Sequence, residues 1–557
     1  MENSRYQPDF APPEEWSEED RYFLHPFATN LDGLVTALRN LPPEMGGALC
    51  SRASRASGYL LRVFLNEYIY EVLHGENREG AAELREIVDF YHRHGVRSAL
   101  NNERARKFFA KNLAQYGDES IAQMTGTYLV FWGISQVAMK LCEDRRIGIQ
   151  PIEKSTRFVK FSEKFRGKYL YYTDPDIEKA GLGEEYKDTQ DFLFETNEVM
   201  VRSLQRNLKS RFPQEKESVL EKKAFDTCRG FLPMATIGQV AFFGNGQAFE
   251  YLINNCAQQK LGELRWIAEA ARQELDQEIP SLLLRLDDEK TKGYQEYLGS
   301  RRLLMAQEVR SFEELGELEP FFAENTTVEL VEYDPDGEAK VVAGILFPSS
   351  KSRWRDMVEF AKRMSYEEKR RIIAQYIEGR TERWQKVGRA FENAYVRFEI
   401  TMNAGAYRDL HRHRMHTQER QLFTDFHGYD VPPELEEAGL QGFVHQAMEK
   451  ASELCQKIWE KLGEEHAQYA TTLFHRVRFY QYQNARQFFW EAELRTTPQG
   501  HPDYRKIEQE KFRLLREVYP LITDFMLVDM KEYDFARRGM EERIQRKEEK
   551  ILERLQK

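Results

Sequence analysis

A chain of 557 residues is too long for one ordinary hydrophobic core, so at least two domains are expected. Its composition, 41% apolar, 31% charged and 13% aromatic, excludes a disordered polymer, and a net charge of −11 excludes a diffuse basic field for polymeric nucleic acid. A charged ligand would need a local cationic site, which favours a small anion as partner.

The opening MENSRYQPDFAPPEEW has no basic region followed by an apolar run, and residues 1–27 read as an irregular arm. No stretch approaches the roughly 20 apolar residues of a membrane span, so no membrane partner is expected. The five cysteines, Cys50, Cys142, Cys228, Cys256 and Cys455, form no C-x-x-C and read as reduced thiols of a cytoplasmic protein.

From Asn30 to His74 the apolar spacing is helical: Leu31, Leu34 and Leu38, then Leu60, Leu61, Val63, Phe64, Tyr68 and Val72, interrupted at Leu41-Pro42-Pro43. A turn at Tyr116-Gly117-Asp118-Glu119-Ser120 precedes the run Thr127 to Trp132, rich enough in β-branched and aromatic residues for a buried strand. Helix follows over Ile134–Leu141 and delivers Asp144-Arg145-Arg146, then a short loop, then Glu153-Lys154-Ser155-Thr156-Arg157. A carboxylate, a hydroxyl and a fixed cation at alternate positions can grip a phosphate monoester. Further helices are expected over Phe192–Leu208 and Val219–Cys228, and from Asn245 to Asn255. Between these lies Arg229-Gly-Phe-Leu-Pro-Met234.

Polar text at residues 311–326 marks a linker. Val328 onward reads as a hairpin: a strand, a turn at Asp334-Pro335-Asp336-Gly337, and a second strand through Ala343. Helix is expected from Tyr366 to Arg380. Asn393–Met402 alternates strictly, with Val396, Phe398 and Ile400 on one face, and leads to His411-Arg412-His413-Arg414. Two planar cations bracketing an imidazole suit a polyanionic cofactor with an aromatic ring. His411, His413 and His416 have no spacing-matched carboxylate or thiol to complete a metal site. Residues 538–557 read as a charged helix. The order turn, strand, helix, arginine cluster, long helices occurs twice, so the economical fold class is α+β: two tandem copies, each a mixed or antiparallel sheet flanked by long helices. The expected copies are 28–310 and 327–537.

These motifs resemble the flavin-dependent thymidylate synthases (ThyX), over about residues 28–285 and 327–535. The second half keeps Arg412-His413-Arg414, Asn484-Ala485-Arg486 and Arg495, followed by His501, but lacks the serine loop, with Leu422 and Thr424 in its place. The first half keeps Glu153, Ser155 and Arg157, Arg229 and Ser120, but has Asp144-Arg145-Arg146 for R-H-R, Asn245-Gly246-Gln247 for N-A-R, and Cys256 where the ring arginine would stand. The losses are complementary. The resemblance implies one composite site using both halves. FAD would be held by Arg412, His413, Arg414, Asn484, Arg486, Ser120 and Glu153. A dUMP-like nucleotide would be held by Glu153, Ser155, Arg157, Arg229, Arg412 and Arg495, with Arg495 catalytic. It further implies methylenetetrahydrofolate and NADPH as co-substrates, reductive C5-methylation of dUMP, and a homodimer of tandem chains in place of a tetramer. Asp409 departs from the family, where an uncharged residue usually stands. A different pyrimidine nucleotide, or a non-catalytic flavin- or nucleotide-binding protein on a degenerate scaffold, are the alternatives.

Overall fold

The computed structural model describes residues 3–9, 14–75, 78–95, 103–109, 111–112, 120–144, 147–536, 538–539 and 546. The turn residues Gly117–Glu119, the pair Arg145-Arg146 and nearly all of the C-terminal stretch expected to be helical lie outside them.

Two four-stranded antiparallel sheets carry the fold. The first contains β1 (Val35–Leu38), β2 (Gly126–Ser135), β3 (Ile149–Glu153) and β4 (Ile237–Asn245), in the order β1-β2-β4-β3. The second contains β5 (Thr327–Tyr333), β6 (Tyr395–Asn403), β7 (Thr417–Arg420) and β8 (Arg476–Asn484), in the order β5-β6-β8-β7. The same topology twice bears out the tandem reading, and small caps repeat with it. Ser135, ending β2, caps the helix Gln136–Glu143 and is hydrogen-bonded to Glu263. Asn403, ending β6, caps Ala404–Leu410 and donates to Asp503. Asn245 and Asn484 cap two 11-residue helices, Gly246–Cys256 and Ala485–Arg495. Each accepts a backbone N–H that the first turn would otherwise leave without a helical partner.

The chain forms two compact units that are not its contiguous halves. Unit 1 comprises Met1–Glu198, Phe231–Phe321 and Glu449–Thr471; unit 2 comprises Val199–Gly230, Phe322–Met448 and Thr472–Lys557. In unit 1, Gln190 donates to the Tyr469 carbonyl and the Tyr469 hydroxyl to Glu263. In unit 2, Arg211 pairs with Glu437, and His501 lies 3.1 Å from the Asp226 carbonyl.

Four local expectations need correction. Residues 1–27 are not irregular throughout: Glu18–Leu24 is helical, opened by a Ser17/Asp20 capping box, and Trp16, Phe23 and Leu24 enter the core with Leu60, Leu61 and Phe64. Residues 30–74 are not all helix, because Val35–Leu38 pairs with β2, Val35 facing Phe131. All four β1 residues are buried, so the leucine spacing there carries no periodic signal. The second hairpin strand is a helix, Gly337–Leu346, with Ala339, Val342 and Ala343 buried at i, i+3 and i+4. Gly337 is not left-handed, as a tight hairpin turn would require; a Cβ there would lie 2.5 Å from the Tyr519 hydroxyl. Finally, the loop before Ser155 is strand β3.

Candidate functional site

The second sheet ends on a concentration of cations. The helix Ala404–Leu410 is capped by Asn403 and followed by a turn at His411-Arg412. His413 is turned inward, 2% exposed, while Arg412 and Arg414 remain half-buried.

Arg495 is the last residue of the helix Ala485–Arg495. Its Nε donates to His413 Nε2 at 2.8 Å, its Nη1 lies 3.9 Å from Asp409 Oδ1, and its guanidinium stands 5.5 Å from the Tyr504 ring centroid. The accepting Nε2 cannot carry the ring proton. Burial pushes the His413 pKa well below its usual value, so the imidazole is neutral. Gln487 approaches Nδ1 at 3.4 Å, and Trp490 meets the ring edge to face.

Arg229 comes from the first half of the sequence, yet it belongs to this unit. It follows the helix Glu217–Cys228, is 5% exposed, and donates from Nη2 to the Gly405 carbonyl at 2.7 Å. Its Nη1 lies 3.9 Å from Asp409 Oδ2. One carboxylate therefore faces two guanidiniums, one on each oxygen, at separations too long for hydrogen bonds. The three groups carry a net positive charge in a largely buried setting, which suits an anionic ligand.

Beneath Arg495 runs a polar network that local sequence patterns did not reveal. Lys511, fully buried, donates to Glu508 at 2.8 Å, Glu491 at 3.1 Å and Gln481 at 2.7 Å. Glu491 stands one helical turn before Arg495, and its other oxygen is 3.8 Å from His416 Nδ1. Burial pushes the Glu508 carboxyl up, against the Lys511 ammonium that donates to it. Burial would also raise Glu491, but the Lys511 ammonium that donates to it outweighs this and holds that carboxyl well below the ordinary range. In the sequence, Glu508 and Lys511 look like an ordinary surface i, i+3 pair.

Other motif residues are engaged differently. The Asn484 side chain accepts from Gln487 N as a helix cap, and Arg486 binds the Val387 carbonyl and Glu392, both at 2.9 Å. His501 caps the helix Pro502–Val518. In unit 1, Glu153 is 2% exposed and pairs with buried Lys140 at 2.7 Å, which also holds Glu143 at 2.6 Å. Ser155 Oγ accepts from Arg157 N at 3.2 Å, and Arg157 is 9% exposed. Ser120 opens the short helix Ser120–Gln123 and is exposed. Cys256 closes its 11-residue helix as Arg495 closes the other, but it is a buried thiol.

The family model described as Thy1, thymidylate synthase complementing protein, matches residues 77–281 and 329–521. The chain belongs to this family. Two matched regions in one chain agree with the two sheets. A UPF0159 protein of Chlamydia pneumoniae is 34% identical over 543 residues, covering 95% of this chain and 98% of the relative. A UPF0159 protein of Thermoplasma acidophilum is 28% identical, covering 80% and 93%. Among solved structures, a UMP/dUMP methylase, PolB, from Streptomyces cacaoi bound with 5-Br dUMP is 19% identical. It covers 37% of this chain and 96% of its own, with a TM-score of 0.28, a likeness too slight to carry more. No helix among the described residues of this Thy1-family chain is long and apolar enough to cross a membrane.

Proposed function

We propose that this protein is a flavin-dependent thymidylate synthase-like enzyme that reductively methylates C5 of a pyrimidine nucleotide, with dUMP the default substrate. The observation that carries the reading is the gathering of Arg229, from the first Thy1 region, with Asp409, His413 and Arg495, from the second, in one unit. Methylation at C5 requires that carbon to become nucleophilic, and negative charge then grows on the oxygen and nitrogen edge of the ring. Arg495, its Nε fixed on neutral His413, has its remaining N–H groups to offer that edge. Such preorganisation is worth about 3–4 kcal/mol per donor. Arg229, fixed on the Gly405 carbonyl, supplies a second cation for the nucleotide, and orienting the ring is a proximity effect. Ser155 and Arg157 are the further nucleotide contacts in this reading.

Arg412 and Arg414, half-buried on either side of an inward histidine, fit an anionic cofactor such as FAD. Reduced FAD, when bound, supplies the reducing equivalents. Methylenetetrahydrofolate as carbon donor, NADPH as reductant and a homodimer of tandem chains belong to the same proposal.

The test is tritium release from 5-labelled dUMP in the presence of FAD, NADPH and methylenetetrahydrofolate. Release that needs all three, from yellow protein, is the expected result. Yellow protein without release would reject thymidylate synthesis and leave cofactor binding standing; colourless protein that takes up no FAD would reject both. Asp409, where the family usually has an uncharged residue, keeps a different pyrimidine nucleotide as the second reading beside dUMP, and the same assay with 5-labelled UMP separates the two.

A further inference from the structure

In unit 1, two carboxylates and an imidazole converge. Asp174 and Asp176 open the short helix Pro175–Lys179, and His466 lies on Glu464–Ala467, far along the chain. One ligand atom from each of the three falls within 4.8 Å of the other two. It is the one such group among the described residues.

Paired acids at a helix start have an ordinary explanation, which accounts for half of Asp174: its Oδ1 accepts from Asp176 N at 2.8 Å as a cap. Its Oδ2 is fully buried and has no hydrogen-bond partner. The independent observation is His466. His466 is 4% exposed, and neither ring nitrogen has a partner at ordinary hydrogen-bond distance and angle, although the Leu462 backbone lies near enough to favour the protonated ring. A buried imidazole with both nitrogens idle is costly, because each loses water without a replacement. His466 Nε2 stands 3.9 Å from Asp176 Oδ2. That is too long for a hydrogen bond, yet within the span of two bonds of about 2.0–2.2 Å to one ion between them. Asp176 is braced from outside, its Oδ2 accepting from the Tyr6 hydroxyl at 3.0 Å, as ligating carboxylates commonly are.

We propose that Asp174, Asp176 and His466 hold a divalent first-row transition ion, with zinc the best-fitting probe. Imidazole with two carboxylates suits that class better than calcium, which prefers six to eight oxygens. The role is structural: the ion ties the segment around residue 466 to the turn at residue 174 within one unit, and water completes the coordination.

The test uses full-length protein stripped with EDTA, dialysed free of chelator and titrated with zinc alone, then with cobalt as a spectroscopic stand-in. Binding of about one ion per chain is expected, together with a rise in melting temperature and visible cobalt absorption. His466→Ala should weaken binding by more than the roughly 10–100-fold typical of outer contacts, whereas Tyr6→Phe should fall within that range. Asp176→Asn, at the most exposed of the three ligands, serves as the second variant should His466→Ala fail to fold, and should also abolish the cobalt spectrum. Wild type that takes up no zinc and shows no melting shift would overturn the proposal. So would variants that fold and bind zinc with wild-type stoichiometry and affinity.

Discussion

At Arg495 one hydrogen bond decides what the residue can do. A lysine at this position is a point charge that cannot both bond His413 Nε2 and present a planar fork to a ligand. Arg495→Lys is expected to lower kcat by about 100- to 1,000-fold, read from tritium release under saturating nucleotide, with folding preserved. The neutral state of His413 gives a complementary expectation. His413→Gln keeps an acceptor for Arg495 and should retain more activity than His413→Ala, and the two would be equal if the bond did not matter. A different buried group governs pH. Burial pushes the Glu263 carboxyl up to about 7, against the bonds it accepts from Ser135 and Tyr469. The folded state therefore holds this proton more tightly than the unfolded chain, whose glutamate titrates near 4.5. Its contribution is fully present below that value and is lost as pH rises through about 7, roughly 3 kcal/mol in all. Melting temperatures measured between pH 5 and 8 should show this slope, and Glu263→Gln should flatten it.

Among the elements, the turn after the helix Glu217–Cys228 is the most exacting. A Cβ on Gly230 would lie 2.0 Å from the Phe474 ring, and the Gly230 carbonyl accepts from Phe474 N at 2.9 Å. The neighbour is a ring set in the core, so it cannot yield cheaply. Gly230→Ala should cost about 1–3 kcal/mol in denaturant unfolding and, by moving Arg229, raise KM for the nucleotide more than it lowers kcat. Strand β6 was legible because one face is wet: Val396, Phe398 and Ile400 are buried while Tyr395 is exposed. Strand β4 shows no alternation because both faces are covered, and β8 hides behind buried Arg476, Arg478, Gln481 and Gln483. Buried polar side chains, some held by distant partners as Arg476 is by Asp430 and Gln481 by Lys511, defeat a rule that equates burial with apolarity.

For the whole molecule, the interleaved units set the expectation. Unit 1 uses Glu449–Thr471 and unit 2 uses Val199–Gly230. Cutting the chain within residues 311–326 should therefore give two fragments that are poorly soluble when expressed separately and recover native circular dichroism when co-expressed. Two soluble, cooperatively melting fragments would contradict this. The sequence by itself determined the tandem plan, because strand alternation, helix caps and motif spacing are short-range properties. Only the tertiary structure decided that residues 337–346 form a helix, that His413 faces Arg495, and that Arg229 sits with Asp409. Those outcomes depend on packing and charge between residues far apart in the chain, 82 positions for His413 with Arg495 and 176 for Arg229 with Gly405, and nothing in a local window carries that information.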